Sequence, residues 1–95
     1  MPGDKPSFEW DPAKSRLNKD RHGVDLDWAQ RLWDVTHIII PAKNVKGESR
    51  YLILAKIGGK SYAAVFTKRG EAIRPISCHR ADRRLERIYE NKIHS

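Results

Sequence analysis

The chain has 95 residues, of which 39% are hydrophobic and 33% charged, and it carries a formal net charge of +7. This length suits one small domain, and the basic balance favours an acidic partner such as nucleic acid or an acidic protein. The apolar runs, such as residues 38–40, are far too short to span a bilayer, so we expect no membrane partner. The first residues hold no apolar signal core, and the single cysteine cannot form an internal disulfide, so we expect a cytoplasmic protein.

The first third of the chain predicts an arm, a short strand and two helices. Residues 1–7, which include two prolines and a glycine, predict a flexible N-terminal arm, and the alternation at residues 8–10 predicts an edge strand. Residues 11–12, Asp-Pro, are typical of a helix start, and Gly23 predicts the end of that helix. Asp25 is expected to cap a second helix. Its core-facing stripe is predicted to be Leu26, Ala29, Leu32 and Trp33.

The middle of the chain has the alternation of β-strands. Strands are predicted at residues 36–40, 50–57, 61–67 and 71–77. Pro41 suggests that the first of them ends early or lies at an edge, and the polar residues 43–49 predict a loop. The Gly58-Gly59 pair predicts a two-residue hairpin turn. The order of elements therefore predicts an α+β fold, with a small antiparallel meander, two N-terminal helices and a C-terminal helix.

The C-terminal helix is predicted to carry arginines along one face. Spacing of i, i+3, i+4 and i+7 places them together: Arg80, Arg83, Arg84 and Arg87. Four guanidinium groups on one face repel one another unless an anion binds them. If they pair instead with Asp82, Glu86 and Glu90, the helix has an ordinary solvated basic face, and both interpretations stay open. We expect residues 92–95 to fray and residues 8–91 to form one domain.

Three segments, in this order, resemble the signatures of the BrnT toxin family. They are Phe8-Glu9-Trp10-Asp11-Pro12-x-Lys14 with Asn18 and Arg21-His22-Gly23-Val24; Gly47-Glu48-x-Arg50; and Arg74-x-Ile76-Ser77-x-x-Arg80-Ala81 with Arg83, Arg84, Glu86 and Tyr89. The resemblance covers nearly all of residues 8–90. Where the family usually reads Ile-Ser-Ala-Arg, the chain reads Ile76-Ser77-Cys78-His79, so that His79 replaces the family arginine, although Arg80 follows directly.

The resemblance implies a ribonuclease toxin of a type II toxin–antitoxin pair, with a fold similar to that of the RelE toxins. It implies RNA as substrate, inhibition of translation, and a BrnA-like antitoxin that neutralises the toxin within a hetero-oligomer. The antitoxin binds the operon's DNA, so the toxin would contact DNA only indirectly. No cofactor is expected.

Metal-independent RNA cleavage needs a base for the ribose 2′-OH, a cation for the phosphate and an acid for the leaving oxygen. His22 and His79 are the candidate acid and base, although His22 could instead be a helix end-cap and His79 a tolerated substitution. The candidate cations, near strand ends and the helix start, are Arg50, Arg74 and Arg80. The predicted RNA-binding residues are Lys14, Arg21, Arg83, Arg84 and Arg87. No metal site is expected, because the histidines lack ligand spacing.

The same residues fit two other functions. A non-catalytic module would hold RNA or DNA through phosphate contacts alone, with strong salt dependence and no cleavage. A partner-docking module would use the basic helix to bind another protein.

Overall fold

The computed structural model describes residues 6–94, which form a five-stranded sheet with helices on both faces. The strands are β1 (Ser7–Phe8), β2 (His37–Val45), β3 (Glu48–Ile57), β4 (Lys60–Arg69) and β5 (Ala72–Arg80). The helices are α1 (Pro12–His22), α2 (Leu26–Ala29) and α3 (Arg83–Ile93), and a 3₁₀ helix at Gln30–Asp34 follows α2 directly.

The strand order is β1-β5-β4-β3-β2, and the sheet is mixed. Strands β2 to β5 form the predicted antiparallel meander, but β1 pairs with β5 in parallel through Ser7 and Phe8. The α+β class is therefore confirmed, and the expectation of a purely antiparallel sheet is wrong. Sequence alternation could not show this, because a two-residue strand has no period of its own.

One face of the sheet, here called the front face, packs against α2 and the 3₁₀ helix. Leu26, Ala29 and Leu32 are fully buried there, as their spacing predicted. They contact front-face side chains of the central strands, including Ile53, Ala64, Phe66 and Cys78. The second predicted helix is only partly α-helical, since it continues as a 3₁₀ helix after Ala29. Asp25 caps it as expected, because its Oδ1 accepts a hydrogen bond from Trp28 N at 2.7 Å.

The opposite face, here called the back face, is covered by α3 over β2 and β3. Leu85 and Tyr89 of α3 pack on Leu54 and Ala63 of the sheet. The Tyr89 hydroxyl also donates a hydrogen bond to the Thr36 carbonyl at 3.2 Å. On the β5 side of the back face, alternation along the strand places Arg74, Ser77 and His79.

The C-terminal helix begins later than predicted. The prediction that four arginines share one face of this helix is therefore wrong. Arg80 is the last residue of β5, and Asp82 caps α3 by accepting a hydrogen bond from Leu85 N at 2.9 Å. The Ala81 amide donates to the Ser61 carbonyl at 2.9 Å, which continues strand pairing past Arg80. Only Arg83, Arg84 and Arg87 therefore lie on the helix.

The predicted loop at residues 43–49 is also wrong, because β2 and β3 extend into it. Only Lys46 and Gly47 form the turn, with φ angles of 51° and 79°. Positive φ at both central residues is the geometry of a tight hairpin. Pro41 does not end β2, since β2 is an edge strand and needs amide donors on one side only. The turn predicted at Gly58-Gly59 is confirmed, with φ angles of 60° and 78°.

The first and last elements of the structure can be compared with the predicted domain limits. Residues 1–5 of the predicted arm lie outside the described residues, and β1 begins at Ser7. At the other end, α3 continues to Ile93, past the predicted boundary at residue 91. The limits of 8–91 for the domain stay a prediction. Among residues 6–94, none of the helices has the length and apolar character that crossing a bilayer requires.

Candidate functional site

A buried amide fixes α1 against the outer edge of β5. Asn18 is 6% exposed, and its Nδ2 donates hydrogen bonds to the Cys78 carbonyl at 2.8 Å and the Val24 carbonyl at 2.7 Å. Its Oδ1 accepts from Cys78 N at 3.0 Å. Since β1 pairs with β5 only at residues 72–73, the Asn18 amide takes the place of a neighbouring strand at Cys78. Asn18 therefore joins three parts of the chain: α1, the connection to α2, and β5.

A second buried contact holds α1 to the start of α2. Ser15, which is 7% exposed, accepts a hydrogen bond through Oγ from Leu26 N at 2.9 Å. Sequence reasoning missed both Ser15 and Asn18 as tethers. The available signal was their type, because serine and asparagine within a helix compete for backbone hydrogen bonds and are favoured there only for a specific contact.

The two tethers place the end of α1 beside the end of β5, and this brings two of the predicted catalytic residues together. The ring centroids of His22 and His79 are 5.6 Å apart, with an angle of 49° between the ring planes. His79 Nδ1 lies 2.9 Å from the Arg80 carbonyl oxygen. A carbonyl can only accept, so this contact requires the proton on Nδ1 and leaves Nε2 as the acceptor of a neutral ring.

A groove lies between α1 and β5, and His22 is part of its lining. Its volume is about 250 Å³, and we call it the α1–β5 groove. The groove is lined by Lys14, Leu17, Asn18, Arg21, His22, Ile76 and Ser77. On α1, Lys14 and Arg21 are seven residues apart and therefore face the same side. Two predicted RNA-binding residues therefore share this groove with His22, whose ring lies beside that of His79.

Two of the three candidate phosphate-stabilising arginines have carboxylate partners. Arg74 Nη1 lies 3.0 Å from Glu9 Oε2, and Arg50 Nε lies 3.4 Å from Glu48 Oε1. Alternation along the strands places both arginines on the back face, where Arg74 is opposite Thr67 in the register. Arg74 shares β5 with His79, whereas Arg50 lies on β3, two strands away.

The third candidate, Arg80, points to the other face. Neighbouring residues of a strand project to opposite sides, so Arg80 faces the front while His79 faces the back. The Arg80 guanidinium carbon lies 5.7 Å from the centroid of the Tyr62 ring. Tyr62 packs in turn on Trp28, at 4.6 Å between ring centroids. The structure therefore separates Arg80 from the histidine pair.

The arginines of α3 lie outside the histidine site as well. Arg83, Arg84 and Arg87 are exposed. Arg83 and Arg87 share an open surface with Glu86 and Glu90, so this flank of α3 carries both signs of charge.

Cys78 does not add a nucleophile to the site. Cys78 is fully buried, and burial raises the pKa of its thiol to about 12, so the thiolate is scarce near neutral pH. Within residues 6–94, no three His, Cys, Asp or Glu side chains are grouped so that they could hold a metal ion.

Comparison with known proteins supports the family resemblance that the sequence signatures indicate. A family model described as "Ribonuclease toxin, BrnT, of type II toxin-antitoxin system" matches residues 10–84. This span contains the histidine pair, the α1–β5 groove and the Asn18 contacts. No curated protein matches the chain.

Proposed function

Since the chain belongs to the BrnT family of ribonuclease toxins of type II toxin–antitoxin systems, we propose that it cleaves RNA without a metal where α1 meets β5. The observation that supports this site is the pair of imidazole rings, His22 and His79, which are 5.6 Å apart. His22 also lines the groove that carries the cationic side chains of Lys14 and Arg21. Two imidazoles at this separation can contact different oxygens of one phosphodiester.

The proposed roles follow from the hydrogen bond of His79. With Nδ1–H donated to the Arg80 carbonyl, Nε2 of His79 is the base that takes the proton of the ribose 2′-OH. The 2′ oxygen then forms a bond to phosphorus while the bond from phosphorus to the 5′ oxygen breaks. His22, in its protonated form, donates a proton to that leaving oxygen. The products are a 2′,3′-cyclic phosphate and a free 5′-OH.

Lys14 and Arg21 are proposed to hold the RNA backbone beside the histidines. Arg74 is proposed to stabilise the negative charge at phosphorus, although it is paired with Glu9 in the free protein. The side chains of Arg74 and Glu9 are 26% and 42% exposed. Ion pairs at such positions contribute only about 0–1 kcal/mol to stability. Exchanging Glu9 for a phosphate therefore costs little. Arg50, Arg80, Arg83, Arg84 and Arg87 remain proposed contacts with RNA farther from the bond that breaks.

The family supplies the rest of the proposal. We infer a RelE-like fold, a cytoplasmic site of action, inhibition of translation, and neutralisation by a BrnA-like antitoxin in a hetero-oligomer. DNA contact would then come only through the antitoxin.

The first experiment tests cleavage itself. The purified protein is incubated with single-stranded RNA, with and without ribosomes, in the presence and absence of EDTA, and the product ends are identified. We expect cleavage in EDTA and 2′,3′-cyclic phosphate ends. Intact RNA under all conditions would overturn the enzyme proposal, and salt-dependent binding of intact RNA would favour the binding module. Activity that disappears in EDTA and returns with a divalent ion would overturn the metal-free mechanism.

The second experiment tests the histidine pair. We expect His22→Gln and His79→Gln each to lower the cleavage rate about 100-fold or more, because losing a general acid or base has that effect. His94→Gln is the control, since the His94 ring is exposed and its Nε2 lies 3.1 Å from Glu90 Oε1. If both variants cleave at the rate of the His94 control, the proposed site is wrong.

A further inference from the structure

Leu17 is an exposed apolar side chain in the middle of α1. It is 46% exposed, although α1 has a buried side formed by Ser15 and Asn18. Leu17 and the half-buried Ile76 of β5 both line the α1–β5 groove, whose rim carries Lys14 and Arg21. The proposed cleavage chemistry uses neither apolar side chain.

We propose that the α1–β5 groove binds one unpaired nucleotide of the RNA, with the base on Leu17 and Ile76 and the backbone phosphate on Lys14 and Arg21. This inference rests on the proposed function, and it adds a base-binding subsite next to the bond that breaks. An unpaired base presents an apolar face that can pack on apolar side chains, whereas a paired base is hidden within the duplex.

The size of the groove agrees with a ligand of one nucleotide. A volume of about 250 Å³ is smaller than the pockets that take drug-sized molecules, which begin at about 300 Å³.

Charge favours an anionic ligand in this groove over the other surface grooves. Three other grooves are each lined in part by carboxylates: Asp20, Asp25 and Asp27 in one; Asp25, Asp27 and Asp34 in the second; and Glu86 and Glu90 in the third. Among the residues that the structure describes, no carboxylate lines the α1–β5 groove. Within residues 6–94, Lys14 and Arg21 form no ion pair, so both charges are available to a phosphate.

The polar groups of the groove indicate which side chain can form a hydrogen bond with the base. Both Nδ2 hydrogens of Asn18 are already donated, to Val24 and Cys78, so Asn18 shapes the groove and cannot donate to a base. Ser77 is half-buried in the lining, and its hydroxyl can donate and accept. Ser77 is therefore the side chain placed to contact the polar edge of a base on Leu17.

The test compares two RNA oligonucleotides with 2′-O-methyl groups, which cannot be cleaved by attack of a 2′-OH. One is complete and the other lacks a single base at the central position. We expect the wild-type protein to bind the abasic RNA about 5- to 10-fold more weakly, because the complex then lacks the apolar surface that the base buries on Leu17 and Ile76. Leu17→Ala should bind both RNAs alike.

Ile39→Ala is the matched control, because Ile39 is also 46% exposed but lies on β2. It should keep the full preference for the complete RNA. The groove proposal is overturned if the wild type binds both RNAs equally, or if Leu17→Ala keeps the preference. An acidic peptide that binds the groove while RNA shows no preference would also overturn it.

The two proposals fail in different ways. A protein that cleaves RNA without preferring the complete oligonucleotide retains the proposed function and loses the base subsite. A protein that prefers the complete oligonucleotide but cleaves no RNA retains the subsite and loses the enzyme.

Discussion

Asn18 is the residue whose loss should affect both stability and the site. Its amide serves three backbone groups, and without it the Cys78 amide, the Cys78 carbonyl and the Val24 carbonyl lose their partners. Each unsatisfied buried group costs about 1–3 kcal/mol. Domains of this size have a total stability of about 5–15 kcal/mol. One side chain therefore controls a large part of the total.

We expect Asn18→Ala to lower the free energy of unfolding by roughly 2–5 kcal/mol, measured by urea denaturation. Lys19→Ala, on the exposed side of the same helix, should stay within about 0.5 kcal/mol of the wild type. Asn18→Asp should destabilise too, because a carboxylate cannot donate to either carbonyl, but its defect should shrink at low pH, where the introduced group regains one donor. Equal stabilities of Asn18→Ala and Lys19→Ala would contradict this account.

Cys78 should make stability depend on pH on the alkaline side. Burial raises the pKa of its thiol from the ordinary 9.0 to about 12, so between these values the unfolded chain loses a proton that the folded chain keeps. A raised pKa adds stability that is complete below pH 9.0 and is lost as pH rises towards 12. The loss approaches about 1.4 kcal/mol per pH unit.

The measurement compares wild type with Cys78→Ala by urea denaturation at pH 7, 9 and 10. Cys78→Ala is expected to be less stable at pH 7, because it leaves a small cavity, and the difference should narrow as pH rises. Other groups titrate equally in both proteins, so they cancel in the comparison. If the two pH profiles are parallel, the buried thiol does not ionise on unfolding as described.

At the scale of elements, the start of α3 depends on its N-cap residue, Asp82. Asp82 Oδ1 satisfies the Leu85 amide, and Leu85 and Tyr89 then cover the back face. We expect Asp82→Ala to lower the free energy of unfolding by about 0.5–2 kcal/mol, the usual value of an N-cap, as measured by thermal denaturation. Asp20→Ala removes the same charge from an exposed position on α1, so it reports the effect of charge alone. A larger loss in Asp20→Ala would show that charge, and not the cap, controls stability.

The start of α3 also shows what local sequence could not predict. The spacing of the four arginines is a true helical pattern, yet Arg80 lies in a strand because the Ala81 amide pairs with Ser61. That partner is distant in sequence, so no local pattern indicates it. By contrast, the stripe of Leu26, Ala29 and Leu32 was predictable, since its spacing alone determines which side is buried.

At the scale of the whole molecule, the family and the α+β class could be predicted from short signatures and from periodicity. The arrangement of the site could be predicted only in part. His22 and His79 are brought together by a hydrogen bond between Asn18 and Cys78, and Arg74 is paired with Glu9. Both contacts join opposite ends of the chain, and they depend on packing of the complete fold.

The hydrogen bonds between Asn18 and Cys78 also protect the protein against self-association. Where β1 stops, the border of the sheet is protected at Cys78 by one side chain instead of by another strand. A bare border of this kind is a template on which a second copy can add itself and begin a fibre. Damage that detaches α1 would therefore have two effects. It would disrupt the proposed site, and it would expose the edge of β5 to aggregation.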